Sequence, residues 1–169
     1  DQHRHELKNA VYKTMGDIAI TLYVHAGTLK NGITYLKVRS EYLEAWGLEK
    51  DDVLHEALLN SYRILPPRIY DFKKMMYTPG YAGEDFLNMD PYFISDKKKK
   101  EGICLSVKGL SNGAVAVLYP GVIKKLVEFM DGGFYVVFSS VHEALIYSSK
   151  LCSLEELENL LRTSNARMT

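Results

Sequence analysis

The chain has 169 residues, with 21 basic and 21 acidic side chains and zero formal net charge. Its length fits one domain, and its 47% hydrophobic and 25% charged content suits a globule that buries its own core. The charge balance argues against a dedicated nucleic-acid binder, which needs a basic excess to neutralise phosphates, unless its cations gather on one face.

Residues 1–15 read as a helical or flexible extension, with Leu7, Ala10, Val11 and Met15 on one weak stripe. His3 and His5 bracket Arg4, a pattern more typical of an exposed terminus than of a metal site. From Asp17 the β-branched and aromatic run "DIAITLYVHAG" predicts one strand. Asn31-Gly32 supplies a tight hairpin turn, and "ITYLKVR" alternates as the partner strand. Ser40 is placed to cap the short helix "EYLEAWG", which Gly47 closes in the left-handed conformation. In the next helix Val53, Leu54, Ala57, Leu58, Ser61 and Leu65 form one stripe. Asp51 and Asp52 complement the dipole of that helix, and Pro66-Pro67 stop it.

Residues 66–101 predict one long irregular loop, rich in tyrosine, phenylalanine and methionine and ending in Lys97–Lys100. Tyr77, Tyr81, Phe86 and Tyr92 are its candidate contacts for a protein partner. Interleaved aromatic and basic residues also suit single-stranded nucleic acid, but acidic residues nearly balance the basic ones here. Beyond Gly102, "ICLSVKG" predicts a strand, "LSNGA" a turn and "VAVLY" a further short strand. Pro120 is placed to open a helix whose stripe is Val122, Ile123, Leu126, Val127 and Met130. "FYVVF" is apolar on both faces and predicts an interior strand, with "HEALIYSS" paired beside it. Ser153 and Glu156 make a capping box for a last helix that turns Leu154, Leu157, Leu160 and Leu161 inward. The order predicts a single α+β domain: hairpin and mixed or antiparallel strands packed with about four helices and one long loop.

Two dipeptides, His55-Glu56 and His142-Glu143, carry half of the zinc-protease word. Four residues on stand Leu59 and Ile146, so neither has the second ligand. If 141–147 is a strand, His142 and Glu143 point to opposite faces; on a helix, His55 and Glu56 diverge by about 100°. Serine-elbow and phosphate-loop patterns do not occur. The sequence therefore assigns no catalytic residue, metal or cofactor. Ser139, Ser140, His142 and Glu143 form a candidate functional turn. Cys104 and Cys152, outside any CxxC, read as structural thiols of a reducing, cytoplasmic compartment. No apolar run reaches the ~20 residues that span a bilayer, so no membrane partner is expected. The chain begins at Asp1 rather than Met, which reads as a trimmed or processed form. The leading expectation is a non-enzymatic module with an unknown protein partner, its oligomeric state undefined. The alternative is a hydrolase or small-ligand enzyme in which His142 gathers Asp85 or Asp90 from the 70–93 loop.

One stretch resembles a known family. Gly113-Ala114, "LYPG" at 118–121, Phe134-Tyr135, and then Ser139, Ser140, His142 and Glu143 follow the core pattern of a bacterial family, domain of unknown function number fifty-six eighty-eight. "DIAITLYV", "ITYLKVRSEYLEAWGL" and Ile64-Leu65-Pro66 extend the resemblance over residues 16–165. The chain lacks a proline expected before the serines, and the 72–101 segment does not follow the pattern. The resemblance implies fold kinship and a source among gut anaerobes; it implies no reaction, cofactor or partner.

Overall fold

The computed structural model describes residues 4–29 and 32–166. The chain divides into two compact units, Asp1–Asn60 and Ser61–Thr169. In the first, a 3₁₀ turn at Arg4–Leu7 precedes β1 (Tyr12–Met15), β2 (Ile18–Thr21), β3 (Tyr23–Leu29), β4 (Gly32–Lys37) and α1 (Ser40–Trp46); α2 (Lys50–Ile64) begins there. β1 pairs antiparallel with β2, and β3 with β4, the latter ladder bulging between His25 and Gly27. The expected hairpin is present, with Leu29 opposite Gly32, although Asn31 lies outside the described residues.

Three expectations for this unit need correction. Residues 12–15 form a strand rather than part of a helical extension. Val11 is 1% exposed, donates its amide to the Val38 carbonyl and accepts from Leu22. These non-local bonds outweigh a weak helical stripe. The strand expected from Asp17 breaks at Leu22, which turns into a core of Val11, Leu22, Val38, Leu43 and Leu54. Ser40 does not cap α1: Arg39 holds the cap position without a side-chain bond, and the Ser40 amide goes to the Asn9 carbonyl. Gly47 closes the helix at φ 63°, as its freedom from a Cβ allows.

The second unit contains β5 (Pro67–Tyr70), α3 (Phe72–Tyr77), β6 (Glu84–Asp85), a 3₁₀ turn at Pro91–Phe93, α4 (Asp96–Glu101) and β7 (Ile103–Val107). A 3₁₀ segment at Gly113–Leu118, α5 (Val122–Met130), β8 (Phe134–Val137), β9 (Ala144–Ser148) and α6 (Leu154–Ala166) complete it. The strands form one antiparallel sheet in the order β6-β5-β7-β9-β8. With helices and antiparallel sheets in both units, the fold class is α+β, as the sequence predicts.

The long loop at 66–101 is a correction, for the segment is largely ordered into short elements. Asp71 caps α3 by accepting the Lys73 and Lys74 amides, and Ser95 caps α4 by accepting that of Lys98. Six α-helices therefore stand among the described residues where about four are expected. "VAVLY" is a 3₁₀ segment rather than a strand. Pro120 lies outside α5, before its cap residue Gly121. β8 is an edge strand, half-buried throughout; the central strand is β7, buried at all five positions. Of the α6 residues whose burial is described, Leu157 alone is buried, packing with Tyr147 and Cys152, while Leu154, Leu160 and Leu161 are 56%, 50% and 37% exposed.

Candidate functional site

The candidate turn is built on β7. Alternation along this strand places Cys104 and Ser106 on one face, 1% and 0% exposed. Ser106 Oγ donates to the His142 carbonyl at 2.6 Å, and Cys104 Sγ approaches Glu143 Oε2 at 3.6 Å. Ser139 Oγ donates to the other Glu143 oxygen at 3.1 Å, and Ser140 Oγ accepts the His142 amide at 3.0 Å. From the 3₁₀ segment, Asn112 gives its N–H to His142 Nδ1 at 3.1 Å, and Ala114 gives its own to the Val141 carbonyl.

Gly113 sits where these strands of contact converge. A Cβ there would lie 2.0 Å from Ser106 Oγ, 2.7 Å from the Val107 nitrogen and 2.8 Å from the His142 oxygen. Asn112 before it has φ 54°, a left-handed conformation that asparagine tolerates better than most residues. The two halves of the family-like pattern, "NGA" and "SSVHE", are thus one interlocked structure. Their separation in sequence conceals the contact.

His142 and Glu143 do not lie on a strand as expected: β9 begins at Ala144, after both. Glu143 turns inward and is half-buried, whereas His142 is exposed. The Cys104 thiol is pushed up to about 12, first by burial and then by the Glu143 charge. It is a neutral hydrogen-bond donor rather than a thiolate nucleophile. Asp85 accepts from Asn88 at 2.9 Å, and Asp90 caps the Pro91–Phe93 turn through the Tyr92 amide. Each of these carboxylates is thereby engaged close to home. His55 and Glu56 lie exposed on α2.

The four aromatic candidates separate by burial. Phe86 is 0% exposed and packs against Phe129 at 5.2 Å between ring centroids, so it belongs to the core and not to a docking surface. Tyr81 is half-buried, edge-on to Tyr70, with its hydroxyl receiving the Asp71 amide at 3.3 Å. Tyr77 and Tyr92 are open, at 79% and 95% exposure. Phe72, Met76 and Phe93 are exposed as well and were missed; helical spacing within 72–77 is the signal that would have grouped the first two with Tyr77. Lys98 of α4 pairs with Asp71, the cap of α3, and holds its carboxyl below the usual range. That pair ties α3 to the chain just after the Pro91–Phe93 turn. Lys97 and Lys99 pair with Glu101 and Asp96, so the lysine run is a helix face with its own counter-charges.

Among the described residues no group of three or more His, Cys, Asp or Glu could hold a metal, and no helix is long and apolar enough to cross a membrane. His3 lies outside those residues. Fold and site together define an α+β protein whose Ser-Ser-x-His-Glu turn is locked onto an Asn-Gly-Ala segment. The chain belongs to the family of unknown function DUF5688, whose family model matches residues 1–168. No curated protein and no solved structure matches it.

Proposed function

We propose that the protein is a non-enzymatic interaction module that docks a protein partner through α3 and the Pro91–Phe93 turn. The observation that carries this reading is the exposure of Phe72, Met76, Tyr77, Tyr92 and Phe93, at 49% to 95%, within so short a segment. Single exposed apolar residues need no explanation, whereas aromatic and methionine side chains that recur exposed along one segment have the composition of interface cores. Lys73, Lys74 and Lys97 flank these residues in sequence and are exposed. The partner that fits has an apolar centre, since Lys74 and Lys97 already pair with Glu84 and Glu101. Two free, buried thiols, Cys104 and Cys152, support placing the module in a reducing, cytoplasmic compartment. The enzymatic alternative is less well supported, since Glu143 is held by Ser139 and Cys104, and Cys104 stays protonated.

The test is quantitative capture from native lysate with the wild-type chain and with Tyr77→Ser/Tyr92→Ser. Loss of a specific captured protein in a variant with unchanged thermal midpoint supports the reading. Capture identical in the two proteins, or none above background in either, overturns it.

A further inference from the structure

The strongest unexplained feature of the first unit is an open surface hollow of about 570 Å³. His5, Lys8, Lys37 and Arg39 line it together with Leu36 and Tyr42, and no carboxylate is among its described lining residues. In a chain of zero formal net charge, two lysines and an arginine around one hollow are not a by-product of general basicity.

The backbone explains the gathering. Lys37 and Arg39 flank Val38, which is 2% exposed and anchors the segment that carries them. Lys8 is brought to them by Asn9, whose φ of 61° lets Ala10 bridge to Arg39 while the Asn9 carbonyl accepts the Ser40 amide. Ala10 is itself 5% exposed, which anchors the segment. Lys37 also lies 5.7 Å from the Tyr23 ring, and Arg39 reaches Glu41 at 3.5 Å. On the remaining wall Tyr42 lies against Trp46, with centroids 5.9 Å apart.

We propose that this hollow binds a small organic phosphate, with Lys8, Lys37 and Arg39 receiving the phosphate and Tyr42 the planar body attached to it. A phosphate near its dianion suits three converging cations better than a single carboxylate does, and a guanidinium can grip two phosphate oxygens at once. Leu36 and Tyr42 give the body an apolar surface of the kind bases and rings stack on. This goes beyond the interaction reading and rests on none of its residues.

Trp46 is the only tryptophan in the chain, so its emission reports on Tyr42 directly. Inorganic pyrophosphate, ADP and adenosine are titrated into the full chain, followed by Trp46 fluorescence and calorimetry. Saturable binding of ADP and pyrophosphate, ADP the tighter, with adenosine much weaker, is the expected result. Lys8→Gln/Arg39→Gln weakens it by about tenfold or more, as loss of charge-assisted hydrogen bonds requires. Glu41→Gln, which releases Arg39 from its carboxylate, tightens it, a gain that misfolding cannot imitate. Absence of saturable binding at millimolar ADP and pyrophosphate overturns the proposal. So does adenosine binding as well as ADP, or equal affinity in all the variants.

Discussion

Replacing Gly113 by alanine tests whether the Ser-Ser-x-His-Glu turn is held as described. The added methyl would stand 2.0 Å from Ser106 Oγ, 2.7 Å from the Val107 nitrogen and 2.8 Å from the His142 oxygen. The hydroxyl can rotate away, but the other two atoms are backbone of β7 and of the turn, so relief requires the two to separate. Overpacking of this kind costs about 1–3 kcal/mol. Rotation of the hydroxyl also gives up the 2.6 Å bond to the His142 carbonyl, worth about 1 kcal/mol net. The expected destabilisation is about 3 kcal/mol, or roughly 6–12 °C in thermal midpoint for a chain of this size. Urea denaturation followed by circular dichroism measures it, with an unchanged slope showing that the same surface unfolds. Ser106→Ala removes the nearest clash, so Gly113→Ala/Ser106→Ala should cost less than the two singles added. A Gly113→Ala variant within about 0.5 kcal/mol of wild type would refute the interlock.

The remaining expectations concern other parts of the molecule. Phe86→Ala should cost about 3–5 kcal/mol as a core truncation, whereas Tyr92→Ala should stay within about 0.5 kcal/mol; equal midpoints in thermal melts would contradict the burial assignment. Cys104 is raised from 9.0 to about 12 in the folded chain, so the folded state keeps a proton that the unfolded state releases. Its contribution is full below pH 9 and lost as pH climbs toward 12, by at most about 4 kcal/mol. Urea midpoints at pH 8 and 10.5 should therefore fall less steeply in Cys104→Ala, and parallel slopes would discard that account. Ser153 Oγ accepts the Glu156 amide at 3.2 Å while Glu156 accepts that of Ser153 at 2.8 Å, so Ser153→Ala should cost about 1 kcal/mol and speed hydrogen exchange in the first turn of α6. Those bonds hold the Glu156 carboxyl low, which means the cap is kept above that carboxyl's titration and lost as pH falls through it. The single-domain organisation read from the sequence is a proposal: it expects one calorimetric transition, and two resolved ones would overturn it.

Local chemistry was legible in the sequence wherever a residue acts on its immediate neighbours. Gly47 ends α1, Asp51 and Asp52 sit in the first turn of α2, and the Ser153–Glu156 box caps α6. The α+β class followed because periodicity distinguishes strands from helices one segment at a time. The caps at Asp71, Asp90 and Ser95 were equally local, but closely spaced Pro and Gly residues made their short elements read as loop.

What the tertiary structure decided are the matters that depend on distant partners. Val11 becomes part of a core because Val38 and Leu22 bond to it, and β8 is an edge because β7 takes the centre of the sheet. Phe86 and Tyr92 are both aromatic residues in one segment, yet Phe129 buries the first and nothing comparable covers the second among the described residues. The cations of the hollow and the Gly113 interlock each join segments about 30 residues apart. Periodicity reports which face a side chain takes on its own element; only the packed chain determines what meets that face.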